Sequence, residues 1–276
     1  MVVVDNASDD DSVAIAEAIP GVTVIANSAN VGFGRACNVG ASLAPPTADL
    51  LFLNPDARID PVELGRLAAT LDAHPECGLV APRLFRGATA LTSSGDSASV
   101  LTELRAFAPR FLALRLPDRR HPPDTSRDGD VAYVEGACML VRRTAFDNVS
   151  GFDPDFFLFF EELDLGNRLR HAGWSVRTAS DIRAEHEVAA SRASTPDNAR
   201  PALVESTVRY LVKWHGRRRA LAYVALVRML WRVRVLRNQL GSEEQAAYRR
   251  AVTRAWRSSI PYPRAVRATS LPRRAK

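Results

Sequence analysis

The sequence predicts an α/β domain, a mostly parallel sheet flanked by helices, with a helical appendage at its C-terminal end. Three observations carry this expectation. Short β-branched or wholly apolar runs alternate with capped, amphipathic stretches as far as Ala179. Several runs stop at Asp, Asn or Pro, which end a strand ladder and begin a turn. Beyond residue 200 the pattern changes to three helical segments rich in Arg.

The elements follow in order. Val2-Val3-Val4 reads as a strand ended by Asp5-Asn6-Ala7-Ser8, and the Asp-rich stretch after it caps a helix over 12–18. A strand over 22–26 precedes a Gly-punctuated turn and helix over 31–42. Leu50 to Leu53 is continuously apolar, as a strand buried on both faces is, and runs into Asn54-Pro55-Asp56. Asp60 and Pro61 form an N-cap and first helical position for a helix over 61–73. A strand over 78–81 is followed by a Pro-, Gly- and Ser-bearing excursion over 86–130, with a helix at 99–107. A strand pair over 131–142, a Phe-rich loop leading into a helix over 152–171, and a strand over 175–179 complete the sheet. Helices are expected at 200–215, 218–240 and 243–257. The division is an α/β domain over 1–199, a basic helical appendage over 200–260 and a flexible tail over 261–276.

A chain of 276 residues with 46 % apolar and 25 % charged residues buries one substantial core and is not a disordered segment. Its net charge of +6 hides two opposed parts. Residues 200–276 hold nineteen Lys and Arg against three acids, a net of +16, which leaves −10 for 1–199. An acidic half suits a metal, and a basic tail suits an anionic surface or is simply a solvated helix face. Cys37, Cys77 and Cys138 lie far apart without a CxxC pair, which argues against a zinc or redox site and for a reduced, cytoplasmic setting. The most apolar tail stretch, Leu221 to Val227, is bounded by Arg219 and Arg228, so a membrane contact is expected to be peripheral.

Strands of an open α/β sheet present ligand-binding residues at their C-terminal ends. Asp5 and Asp56 both follow strands there, and each is either a turn former or a site carboxylate. Held rigidly after Asn54-Pro55, Asp56 is a suitable hard ligand for Mg²⁺ or Mn²⁺ on a diphosphate. Glu161 and Glu162 follow the run Phe156-Phe157-Leu158-Phe159-Phe160, where aromatic walls would raise a carboxyl toward the range of a general base. The competing reading is an aromatic core run and a helix start stabilised by its dipole. Asp164 and Arg168, four apart, are expected to pair structurally. His186 is a metal ligand or a loop histidine.

Six segments in succession, VVVDNAS at 2–8, NVGFGRACNVG at 30–40, LFLNPDARID at 51–60, VEGACMLVRR at 134–143, GFDPDFFLFFEELDLGNRLRHAGW at 151–174 and His186 with Ser191, resemble the family 2 glycosyltransferases of the GT-A (Rossmann-like) fold. The resemblance spans about residues 2–191 and is strongest to rhamnosyltransferase-like and galactofuranosyltransferase-like members. It implies that Asp5 contacts the nucleotide base, that Asn30, Gly32 and Asn38 shape the loop beside the donor, and that Arg35 lies near the diphosphate. It also implies that Asp56 ends an Asp-x-Asp metal motif begun here by Asn54, and that Gly136 and Ala137 line the donor-sugar and acceptor pocket. Glu162, with Glu161 beside it, takes the place of the catalytic base, and His186 that of a histidine at the metal or diphosphate.

Two departures stand out. The base is more often Asp in the family, which makes Glu161 a rival to Glu162. Family members usually begin with a further strand and helix, about thirty residues ahead of the VVVDNAS segment, so the chain resembles a fold lacking its first strand and helix. The implied reaction is an inverting, in-line transfer of a sugar, rhamnose by resemblance, from a dTDP- or UDP-linked donor to a cell-envelope glycan or polyprenyl-linked acceptor. Peripheral contact through 218–240 would place it at the inner face of the plasma membrane. The alternative from another class is an inactive homologue acting as a binding or scaffold subunit. Nucleic-acid binding is not expected, because the Arg residues follow no recognition motif.

Overall fold

A computed structural model describes residues 1–91, 94–95, 129–187, 199–236, 246–247, 250 and 253–254. The expected helix at 99–107, Ser191, most of the expected helix at 243–257 and the tail at 261–276 lie outside them. Strand β1 (Val2–Asp5) pairs in parallel with β2 (Thr23–Ala26) through the crossover helix α1 (Ser12–Glu17), forming a separate two-stranded sheet. Helix α2 (Phe33–Leu43) leads to β3 (Leu50–Leu53), β4 (Ala57–Ile59), α3 (Pro61–Ala73) and β5 (Cys77–Arg86). The cap at Asp60 is as read: its Oδ1 accepts from Val62 N at 2.8 Å, with Pro61 at the first position.

Short strands β6 (Thr89–Ala90), β7 (Ser94–Gly95), β8 (Gly129–Asp130) and β9 (Tyr133–Val134) precede β10 (Cys138–Val141). Helix α4 (Arg143–Asn148), helix α5 (Glu161–His171) and strand β11 (Ser175–His186) follow. The main sheet runs β3-β10-β5-β11-β4, with β6 on β5 and β8 on β11. The α/β class with flanking helices holds, but the expected mostly parallel sheet is a mixed one. β11 runs parallel to β5, whereas β10 runs antiparallel to both β3 and β5. The reason is local: β10 begins at the rim where β3 ends, Cys138 opposite Leu53, so it must run back. β11 also outlasts its expected end at 179, bulging between Ala179 and Arg183 and continuing to His186 against β4.

The sheet is covered on both faces. Leu67 and Leu71 of α3 meet Val80, Leu140 and Ile182 on one side. On the other, Phe52, Phe146 and Phe152 pack with ring centroids 5.2 to 5.8 Å apart. One helix serves both sheets: Gly40 of α2 lies against Val4 of β1, while Ala41 packs with Leu50 and Phe52.

The C-terminal part consists of α6 (Ala199–Tyr210), a π-helical turn (Leu211–His215) and α7 (Arg217–Leu236). Val204, Val208, Tyr210, Leu211, Ala220, Tyr223, Val224 and Val227 share one core with Tyr133, Phe156, Phe160 and Leu163. Spacing of 3, 4 and 7 along α7 puts Ala220, Tyr223, Val224 and Val227 on one face, as an amphipathic helix requires. Its apolar stripe therefore faces protein, leaving Arg218, Leu221, Arg228 and Met229 exposed. Among the described residues no helix is long and apolar enough to cross a membrane.

Candidate functional site

At the end of β3 the chain turns through Asn54-Pro55-Asp56 into β4. Asn54 N donates to Ala137 O at 2.9 Å, so the turn at 135–137 and the end of β3 are joined. Register then decides the rest: β4 pairs antiparallel with β11, placing Ala57 opposite His186. As a result Asp56 and His186, far apart in sequence, meet with Oδ1 and Nε2 3.3 Å apart, and their side chains are 6 % and 11 % exposed. Among the described residues neither ring nitrogen of His186 has a hydrogen-bond partner, although both are buried. A buried imidazole ordinarily donates and accepts. No group of three or more His, Cys, Asp or Glu side chains gathers around a point among the described residues. One carboxylate and one imidazole fit a hard divalent cation of the Mg²⁺ or Mn²⁺ type, which takes few protein ligands and completes its shell with phosphate oxygens and water.

A second group of polar residues builds the loop after β2. Asn6 Oδ1 accepts from Asn27 Nδ2 at 3.1 Å and from Val31 N at 3.4 Å, and its Nδ2 donates to Gly32 O. Asn30 Oδ1 accepts from Gly32 N at 3.0 Å. The Asp5 carboxylate, almost fully buried, accepts from Ser8 N at 3.0 Å and from Ser8 Oγ at 2.5 Å, closing the turn after β1. Gly32 caps α2 with φ 90° and ψ 162°, a conformation that suits glycine.

Helix α2 grips the Phe-rich loop. Asn38 exchanges two hydrogen bonds with the buried Phe152, donating to its O at 2.8 Å and accepting from its N at 2.9 Å. Arg35 Nε donates to Pro154 O at 2.8 Å, and Phe33 N to Phe157 O at 3.2 Å. The Phe33 ring also lies against Gly136, so the 135–137 turn touches both the end of β3 and the start of α2. The loop ends in strain: Phe159 and Phe160 have φ of 69° and 72°, the left-handed region that bulky side chains avoid.

Glu161 opens α5, nearly fully buried beside Gly34, with Oε2 lacking a hydrogen-bond partner among the described residues. Burial, with the Glu162 charge adding to it, raises its carboxyl well above the usual carboxylate range. Glu162 is half-buried. Asp164 is structural, as its spacing suggested: fully buried, it accepts from Arg168 Nε at 2.7 Å and from Trp214 Nε1 at 2.9 Å. Lys213 joins it at 2.7 Å and also reaches Asp153 at 2.5 Å. Burial pushes the Asp153 carboxyl up, but the Lys213 hydrogen bond and charge outweigh this and leave it below its ordinary value.

Sequence reading missed Asn6, the strained Phe159-Phe160 pair, Ser206 and Lys213. Asn6 was visible as a polar residue directly after a strand. The other three act through contacts across more than forty positions of the chain, for which no local signal exists.

Residues 1–150 match the family model described as Glycosyl transferase family 2. Among curated relatives, an N-acetylglucosaminyl-diphospho-decaprenol L-rhamnosyltransferase of Mycobacterium tuberculosis is 28 % identical over 232 residues, which is 77 % of this chain and 74 % of that protein. An O-antigen biosynthesis protein, RfbC of Myxococcus xanthus, is 30 % identical over 150 residues, 52 % of this chain and 11 % of that one. Among solved structures, GalNAc-T7 with UDP, GalNAc and Mn²⁺ has a TM-score of 0.55 at 14 % identity, covering 77 % of this chain, which spans 41 % of that chain. TarS 1–349 of S. aureus has a TM-score of 0.50 at 15 % identity, covering 92 % of this chain and 70 % of its own. At such identities the two structures show the fold alone.

Proposed function

Since the chain belongs to glycosyl transferase family 2, we propose that it moves a sugar from a nucleotide diphosphate donor to a lipid-linked or other cell-envelope glycan. The observation that carries this reading is the meeting of Asp56 with His186, whose two buried ring nitrogens lack hydrogen-bond partners among the described residues. These two side chains would hold a divalent cation, whose positive charge offsets the charge that develops on a departing diphosphate. The donor is dTDP- or UDP-linked, with rhamnose favoured because the mycobacterial relative is named a rhamnosyltransferase acting on a decaprenol-linked acceptor.

The protein's own residues divide the remaining work. Asn6 and Asn30 hold the Gly32 loop that faces the nucleotide, with Asp5 at its other side. Gly136 and Ala137 present a wall of little bulk between the two halves of the site. Glu162 takes the proton from the acceptor hydroxyl at its carboxylate as that oxygen attacks the anomeric carbon, so the transfer inverts configuration. Glu161 is the poorer base candidate, because its buried carboxyl is out of reach of an acceptor. The α5 N-terminus favours negative charge at this point, as a carboxylate base requires.

Peripheral membrane contact would use the outer face of α7, where Arg217, Arg218, Arg219 and Arg228 surround Leu221 and Met229. The experiment that tests the function incubates the full chain and Mn²⁺ with dTDP-rhamnose or UDP-sugars and a polyprenyl-diphosphate-linked N-acetylglucosamine, followed by mass spectrometry of the lipid. Gain of one sugar residue on the acceptor supports the reading. Tight nucleotide binding without transfer to any acceptor would instead favour a binding subunit.

A further inference from the structure

The loop from Phe152 to Phe160 is held from outside by the C-terminal helices at three points. Lys213, on the π-helical turn, lies 2.5 Å from Asp153 at the start of the loop and 2.7 Å from Asp164 in the first turn of α5. Ser206 Oγ of α6 donates to Leu158 O at 2.7 Å, between those two anchors. Phe160 packs against Tyr210 with ring centroids 5.2 Å apart. The Lys213 side chain is only 8 % exposed and its ammonium lies 5.7 Å from the centres of both the Phe156 and Trp214 rings.

Stability alone does not call for a lysine here. Taking an ammonium out of water is expensive, and replacing a buried ion cluster by apolar residues of similar volume is often neutral or stabilising. What the ammonium supplies is geometry, two fixed carboxylates on either side of a loop whose last two residues are strained. Left-handed φ at Phe159 and Phe160 persists only where the surroundings over-determine it. Freed from its anchors, the backbone would relax toward negative φ and rotate the start of α5, with Glu161 and Glu162 on it.

We propose that Lys213 is a positioning residue of the C-terminal helices: by tying Asp153 to Asp164 it holds the strained loop closed and fixes the direction in which Glu162 is presented. The C-terminal helices thus complete the site by holding its loop. This rests on the reading of Glu162 as the base, so its test has a readout that does not need activity.

Full-length wild type, Lys213→Met and Lys213→Arg are compared by hydrogen–deuterium exchange and by transfer kinetics. In Lys213→Met the amides of 156–162 are expected to exchange at least ~10-fold faster, while those of β5 and β10 do not change. The kcat is expected to fall ~10²-fold with donor KM within about twofold, as for a displaced catalytic group. Lys213→Arg, which keeps a charged donor between the carboxylates, should recover most of the rate. If Lys213→Met does not fold, Asp153→Asn removes one arm only and should raise exchange at 156–162 by several-fold. Unchanged exchange in that segment, exchange raised equally in the sheet, or a KM effect without a kcat effect overturns the proposal. A wild type that transfers no sugar refutes the proposed function, and the exchange result still decides whether Lys213 holds the loop.

Discussion

Replacing Gly32 by Ala tests whether the loop at Asn30–Gly32 and the Phe-rich loop depend on one another. Gly32 has φ 90° and ψ 162°, outside the regions open to L-residues, which costs about 1–3 kcal/mol for any side chain. A Cβ there would also lie 2.3 Å from Phe157 O and 3.0 Å from both Phe157 C and Cα. Those are backbone atoms and cannot swing aside as a side chain would. Restoring van der Waals separation moves Phe157 by ~1 Å or more and breaks the bond from Phe33 N to Phe157 O, worth about 1 kcal/mol. Together these predict a loss of about 2–4 kcal/mol. Thermal unfolding should show a Tm lower by roughly 4–16 °C, at about 2–4 °C per kcal/mol for a chain of this size. Gly65→Ala is the control, since Gly65 lies inside α3 with none of the described residues within 4 Å of its would-be Cβ. It should gain up to about 1 kcal/mol from helix propensity. Equal Tm values for Gly32→Ala and Gly65→Ala would refute the close approach.

Two further predictions concern the acid pair. Glu161 in the folded chain holds its proton to a higher pH than the 4.5 of an ordinary glutamate, so the folded state binds more protons than the unfolded one above that pH, and stability falls as pH rises. Glu161→Gln should therefore raise the urea midpoint at pH 7.5 and give no comparable gain near pH 4; a gain independent of pH would contradict the assignment. Glu162→Gln should lower kcat about 10²–10⁴-fold while leaving nucleotide affinity nearly unaltered, measured by transfer assay and calorimetry. An unimpaired rate would remove Glu162 from the mechanism.

Most of the fold was legible because its signals are local. The apolar run Leu50 to Leu53 and the Asp60-Pro61 start of α3 appear where the pattern put them. What was illegible depends on partners remote in sequence. The direction of β10 is set by where the chain re-enters the sheet, and β11 continues past its apolar run because β4 offers it a partner up to His186. The same pairing explains why Asp56 and His186 could be singled out as candidates while their meeting could not be derived from spacing. Amphipathic α7 illustrates a true ambiguity: its apolar stripe suits a membrane or a core, and the placement of Tyr133, Phe156 and Phe160 gives it a core. Lys213 had no signature at all, since a lone Lys between Val212 and Trp214 reads as a surface residue.

The central claim is that Asp56 and His186 together bring a cation to the diphosphate of a nucleotide donor. Isothermal titration of UDP and dTDP into the full chain, with Mn²⁺ and with EDTA, addresses it directly when repeated on Asp56→Asn and His186→Ala. The account predicts that Mn²⁺ tightens binding to the wild type by at least ~10-fold, about 1.4 kcal/mol, and has little effect on either variant. Nucleotide affinity that gains equally from Mn²⁺ in all three proteins, or in none, would contradict it.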